Sequence, residues 1–189
     1  MDWSHLLRRR NRVKTTPVGV AASLTEAIIL STNVLRIRLG EEGLAWSDPA
    51  HFESDTCLLE CALFEWFLCD CALSHEFGRH TDAIRLALGG RLLIDLQRSA
   101  ISPRSLEGFD RVASERFTEY REALDLSPSL QPLGHRAWLR ISGNGEPSER
   151  MTMLLAIRAR AELERLRGIG RQYLVSATAV PSPGPTEVP

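Results

Sequence analysis

Between Leu106 and Leu124 the apolar residues Leu106, Phe109, Ala113, Phe117, Tyr120 and Leu124 recur at intervals of three and four. That spacing puts one side of a helix against a core. Ser102 ahead of Pro103 supplies an N-cap followed by proline at the first helical position, so the pattern predicts one helix over 103–124. Glu107, Arg111 and Glu115 are spaced along its outer face for surface pairing. Three further segments carry the same period. Ile84, Leu88, Leu92 and Leu96 predict a helix over 80–99, and Leu133, Ala137 and Trp138 a short one over 130–141. After a turn at 142–147, Leu155, Ala159, Leu163, Leu166, Gly170 and Tyr173 predict a long helix over 148–174. Ser23, Leu24, Thr25 and Glu26 form a capping-box pattern that would open a helix over 24–39, with Gly40 as its stop. The β-branched content near Ile37 also suits a short strand, but no second strand pattern offers it a partner.

The segment 53–76 behaves differently. Its acids Glu60, Glu65 and Asp70 point in three directions on a helical wheel, so no clean polar face remains and the helix is expected at the centre, buried on most sides. Gly89-Gly90 interrupts the following helix, where each glycine costs about 1 kcal/mol against alanine, which implies a packing reason. At the N-terminus, Trp3, Leu6 and Leu7 would share one side of a short helix ended by Pro17. Residues 176–189 hold four prolines and no core-forming pattern, and read as a disordered tail. The expected architecture is an all-α, single-domain, antiparallel-type bundle of five or six helices over 17–175. It follows a basic arm at 1–16, helical or disordered.

Composition agrees with a folded body: hydrophobic residues make up 43% of the chain and charged residues 25%, near globular averages. The net charge of -1 hides an asymmetry. Arg8, Arg9, Arg10, Arg12 and Lys14 face only Asp2 within the first 16 residues, whereas 41–82 carries ten acids against Arg79 alone. The arm could contact a polyanion or an anionic lipid surface, or lie against the acidic body. Against a nucleic-acid role, the remaining chain is net acidic and offers no recognition helix. No run of about 20 apolar residues is present, so no transmembrane segment is expected. Four cysteines without a Cys-x-x-Cys suggest reduced thiols and a cytoplasmic location.

The candidate chemistry is sparse. Cys57 and Cys61, one turn apart, could supply half of a metal site, but buried cysteine commonly serves as a small hydrophobe, and neither metal nor cofactor is expected. Glu65 lies between Cys61 and Cys69 on an otherwise apolar side. A carboxylate there must be paired, hydrogen-bonded or protonated. Arg85 or Arg91 could pair with it. The alternative is a pocket group, acting as base or ligand contact with His75 or His80 nearby. Asp48 and His51 have metal-ligand spacing but straddle Pro49, and Glu76 and His80 straddle Gly78. Serine-nucleophile, phosphate-loop and dinucleotide motifs are absent, so no catalytic residue is assigned. Three functional expectations follow. The first is a non-catalytic module binding a partner protein or itself, with Phe64, Trp66, Phe67 and Trp138 as core or groove anchors. The second is an enzyme or small-ligand binder around Glu65. The third is a nucleic-acid or membrane-surface regulator acting through residues 8–14.

Overall fold

Thr16 and Pro17 begin the first helix: the Thr16 hydroxyl accepts the Gly19 N–H at 3.1 Å, and Pro17 occupies the first turn, where no N–H is needed. The computed structural model describes residues 13–43, 49–99, 101–143 and 148–175. Arg8, Arg9, Arg10 and Arg12, the acid Asp48, the turn at 144–147 and the tail at 176–189 lie outside them. The helices are α1 (Pro17–Gly43), the single turn α2 (Pro49–Phe52), α3 (Asp55–Glu76), α4 (Thr81–Arg98), α5 (Phe109–Asp125), α6 (Gln131–Ile141) and α7 (Glu149–Gly170). The all-α class and the presence of six long helices agree with the sequence patterns.

Several boundaries differ from the pattern for physical reasons. Pro17 starts a helix rather than ending one. Ser23 lies inside α1, where its hydroxyl accepts a hydrogen bond from Tyr173 Oη at 3.0 Å instead of capping. Helix α1 also runs through Gly40 to Gly43. The segment expected as one helix over 103–124 divides into a 3-10 turn (Pro103–Leu106) and α5, separated by Gly108 at φ +69°. Leu106 and Phe109 are both buried, so the apolar spacing survives a break that the left-handed glycine makes. A two-stranded parallel ribbon was not expected. Val13–Thr15 (β1) pairs with Tyr173–Val175 (β2) in the register Val13 to Tyr173 and Thr15 to Val175. Each strand has three residues, too few to display alternation, and the pairing joins opposite ends of the described chain. Lys14 is exposed in β1, so the helix considered for the N-terminal arm does not extend over 13–15.

Helix α3 is the axis of the molecule, as its lack of a polar face implied. Ser54 caps it, accepting the Cys57 N–H at 3.2 Å, and fourteen of its residues are buried, from Cys57 to Leu73. Its aromatic side meets α5. Trp66 stacks on Phe109 with ring centres 5.7 Å apart and meets the edge of Phe117 at 5.0 Å. Phe67 contacts Phe117 and Tyr120 at 5.6 and 5.4 Å. Phe64, Phe67 and Trp138 are fully buried, while Trp66 is half-buried over Gly89. A Cβ at Gly89 would come within 3.1 Å of the indole, which supplies the expected packing reason; Gly90 has open space around it. Phe117 keeps one edge near solvent, so Phe117→Ala is expected to cost about 3 kcal/mol, the lower end for such truncations. Urea unfolding checks this, and a loss below about 1 kcal/mol would remove Phe117 from the cooperative core.

Residues Pro17–Glu42 of α1 are long and apolar enough to cross a membrane by length and composition. In the bundle, one side of this helix is core: Val20, Ala21, Leu24, Ile28, Leu35 and Leu39 are buried. The outer side carries Leu30 (66% exposed), Val34 (40%) and Ile37 (55%) in one row.

Candidate functional site

The acids of α3 are five residues apart, which turns each by about 140° from the last along the helix. Each therefore meets a different part of the bundle. Glu60 receives Arg116 of α5 in a forked contact, with Nε at 2.9 Å from both oxygens. Asp70 receives Arg85 of α4 at both oxygens and Arg121 of α5 at 3.1 Å. Glu65 receives Arg158 of α7, whose Nε donates to Oε1 at 2.8 Å. One helix is thus tied by charge to three neighbours. Removing a single member of a buried pair leaves an uncompensated charge, so these contacts penalise any slip of α3 against its partners.

The Glu65 site extends furthest. Arg158 Nη2 donates to the Ser31 carbonyl at 2.8 Å and to the Ser31 hydroxyl at 2.9 Å. That hydroxyl donates to Glu162 Oε1 at 3.0 Å, and Arg165 Nε donates to Glu162 Oε2 at 2.8 Å. Helices α1, α3 and α7 are joined through this chain of groups. Glu65 is 0% exposed and its Oε2 has no hydrogen-bond partner. Burial pushes its pKa from 4.5 to about 7, against the pull of Arg158 and with help from the Glu162 charge.

The pairing of Glu65 with an arginine of a neighbouring helix agrees with one of the two readings of its sequence position, but the arginine is a different one. Arg85 is committed to Asp70, and Arg91 lies 3.9 Å from Asp95 on its own helix. The available signal was Glu162, a charge in the row of Leu155, Ala159 and Leu166 that faces the core, with Arg158 one turn before it. His75 and His80 do not join Glu65. His75 is exposed ten residues along α3, about 15 Å of helical rise away. His80 lies beyond it in a 3-10 turn, with its Nε2 accepting from Arg79 at 3.4 Å. Glu76 pairs with Arg171 rather than with His80.

The cysteines are all free thiols. A hydrogen bond from Cys61 holds the Cys57 pKa below its ordinary value, whereas Cys57 and burial push Cys61 well up. Burial also raises Cys69, and Cys71 to about 11. Among the described residues, no group of three or more His, Cys, Asp or Glu side chains could hold a metal ion.

Beside the Glu65 network lies an open groove of about 540 Å³ between α1 and α7. Leu35, Met153, Leu154 and Ile157 give it an apolar wall, and Arg38, Glu42, Arg150 and Arg158 bring charge to it. Arg158 is therefore shared: one edge holds Glu65 and Ser31, and the side chain also lines the groove.

These features define an all-α bundle whose central helix is held to its neighbours by arginine–carboxylate pairs, with an amphipathic groove on its flank. Comparison of the chain with protein-family profiles, with curated proteins and with solved structures found no match.

Proposed function

We propose that this protein is a non-catalytic interaction module that associates with a second copy of itself through the outer side of α1. The observation that supports the reading is the row of Leu30, Val34 and Ile37, left exposed on a helix whose opposite side is core. An apolar row at helical spacing, left exposed among the described residues, suits the flank of another helix. The buried charges support the same view: Glu60, Glu65, Asp70 and Glu162 are each held by arginine, an arrangement suited to fixing the bundle. The four free thiols suit a reducing, cytosolic setting.

Light scattering across a concentration series tests this. The full chain should shift from monomer to dimer as concentration rises, and the exposed double substitution Leu30→Glu with Ile37→Glu should remain monomeric with an unchanged circular dichroism spectrum. A wild-type chain that stays monomeric while binding anionic vesicles would replace this reading with a membrane-surface role.

A further inference from the structure

We propose that the groove between α1 and α7 is a binding site for a small anionic amphiphile, a carboxylate carried on an unbranched apolar tail. This site lies on a different side of α1 from the Leu30 row and stands independently of the self-association reading.

Its dimensions come first. About 540 Å³ falls within the range of sites that hold small molecules. Leu35 from α1 with Met153, Leu154 and Ile157 from α7 line it with aliphatic and thioether groups, surfaces that take up a hydrocarbon chain without polar loss.

The charges decide what head group the chain must carry. Three arginines, Arg38, Arg150 and Arg158, line the groove against one acid, Glu42. Glu42 is held by Arg150, so that pair contributes no net charge. Arg38 is exposed and has no hydrogen-bond or ion-pair partner among the described residues. Arg158 uses Nε towards Glu65 and Nη2 towards Ser31. In a planar guanidinium those two nitrogens share one edge, so Nη1 lies off that edge, and no described residue accepts from it. The groove thus offers one cation without a carboxylate partner among the described residues, Arg38, and beside it the remaining guanidinium donors of Arg158, whose charge is matched by Glu65, along an apolar wall. A ligand that satisfies both features joins a monoanion to a hydrocarbon. A cationic amphiphile would meet like charge, and a neutral one would leave the donors unmatched.

Titration calorimetry on the full chain tests the proposal with decanoate, decanol and butyrate. Decanoate should bind once per chain. Decanol, with the same kind of tail and no charge, should bind about tenfold more weakly, and butyrate should give no detectable heat, because charged hydrogen bonds and tail burial each contribute more than a factor of ten. Arg38→Glu and Ile157→Asp should each weaken decanoate by about tenfold or more. Both replaced side chains are exposed, Ile157 at 64%, so folding should survive. The double substitution at Leu30 and Ile37 should leave decanoate affinity unchanged, which separates this site from the association surface. Equal affinity for decanol and decanoate, failure of decanoate to bind, or indifference to both groove substitutions would each overturn the proposal. Should either groove variant misfold, the comparison of decanoate with decanol on the natural chain decides by itself.

Discussion

Arg158→Met is expected to lower the unfolding free energy by about 3–5 kcal/mol at pH 8, and by visibly less at pH 5. The substitution keeps the apolar stem and removes the guanidinium, leaving Glu65 buried without the arginine that matched Oε1, beside an Oε2 already without a hydrogen bond. Glu162 also loses an indirect support, since Arg158 orients the Ser31 hydroxyl that donates to it. The pH dependence follows from the direction of the Glu65 shift. Its folded-state pKa is raised to about 7 from 4.5, so between those values the folded protein holds more protons than the unfolded one. The stability contributed by protonated Glu65 is fully present below 4.5 and is lost as pH rises to about 7. Arg158 pulls that pKa down, so its removal carries the loss to higher pH and enlarges it. Glu65→Gln cannot ionise and should flatten the slope through this window without a large loss at neutral pH. Urea titrations of the three proteins between pH 4 and pH 8 check the result. A penalty for Arg158→Met that is independent of pH would show that Glu65 is not the group left exposed to the loss.

Gly134→Ala should cost about 3 kcal/mol although alanine is the better helix former. A Cβ at position 134 would stand 2.3 Å from the carbonyl oxygen of Thr152 and 2.9 Å from the amide nitrogen of Ala156. Both are backbone atoms of α7, so no side-chain rotation relieves the clash and α6 must move as a body. Leu133, Ala137 and Trp138, all buried on α6, would move with it. Gly90→Ala is the matched control. It lies within α4 with nothing within 4 Å of its Cβ direction, and should raise stability by about 0.5–1 kcal/mol through helix propensity. Opposite signs for the two substitutions in thermal or urea unfolding are the expected result. A neutral Gly134→Ala would mean that α6 and α7 do not cross at backbone contact.

The two predictions draw on different sources of specificity. Gly134 enforces shape, because close approach of two backbones tolerates one residue type. The acids at 60, 65 and 70 enforce register, because each must find its own arginine on a different helix. Hydrophobic periodicity places helices side by side but leaves their relative sliding weakly determined, and misplaced buried charges make a slipped arrangement costly.

What could be read from the chain alone was local. Apolar residues three and four apart revealed four of the six long helices, a capping-box pattern with a glycine stop pointed to α1, and the absence of a polar face on 53–76 marked the central one, because such patterns are properties of residues close along the chain. Glu65 stood out for the same reason, as a charge where its neighbours are apolar. Its partner was a matter for tertiary structure. Arg85, Arg91 and Arg158 are equivalent as donors, and only the crossing of α3 with α7 decides among them. The strand pair Val13–Thr15 with Tyr173–Val175 was likewise invisible, since three-residue segments carry no readable period and their hydrogen bonds join distant parts of the chain. The break at Gly108 escaped because its flanking side chains keep the helical spacing across it. The groove required two helices at once: Leu35 and Ile157 acquire a shared space only when α1 and α7 lie alongside each other. Periodicity is encoded between neighbours along the backbone, whereas pairing, crossing and concavity arise between surfaces that meet only after folding.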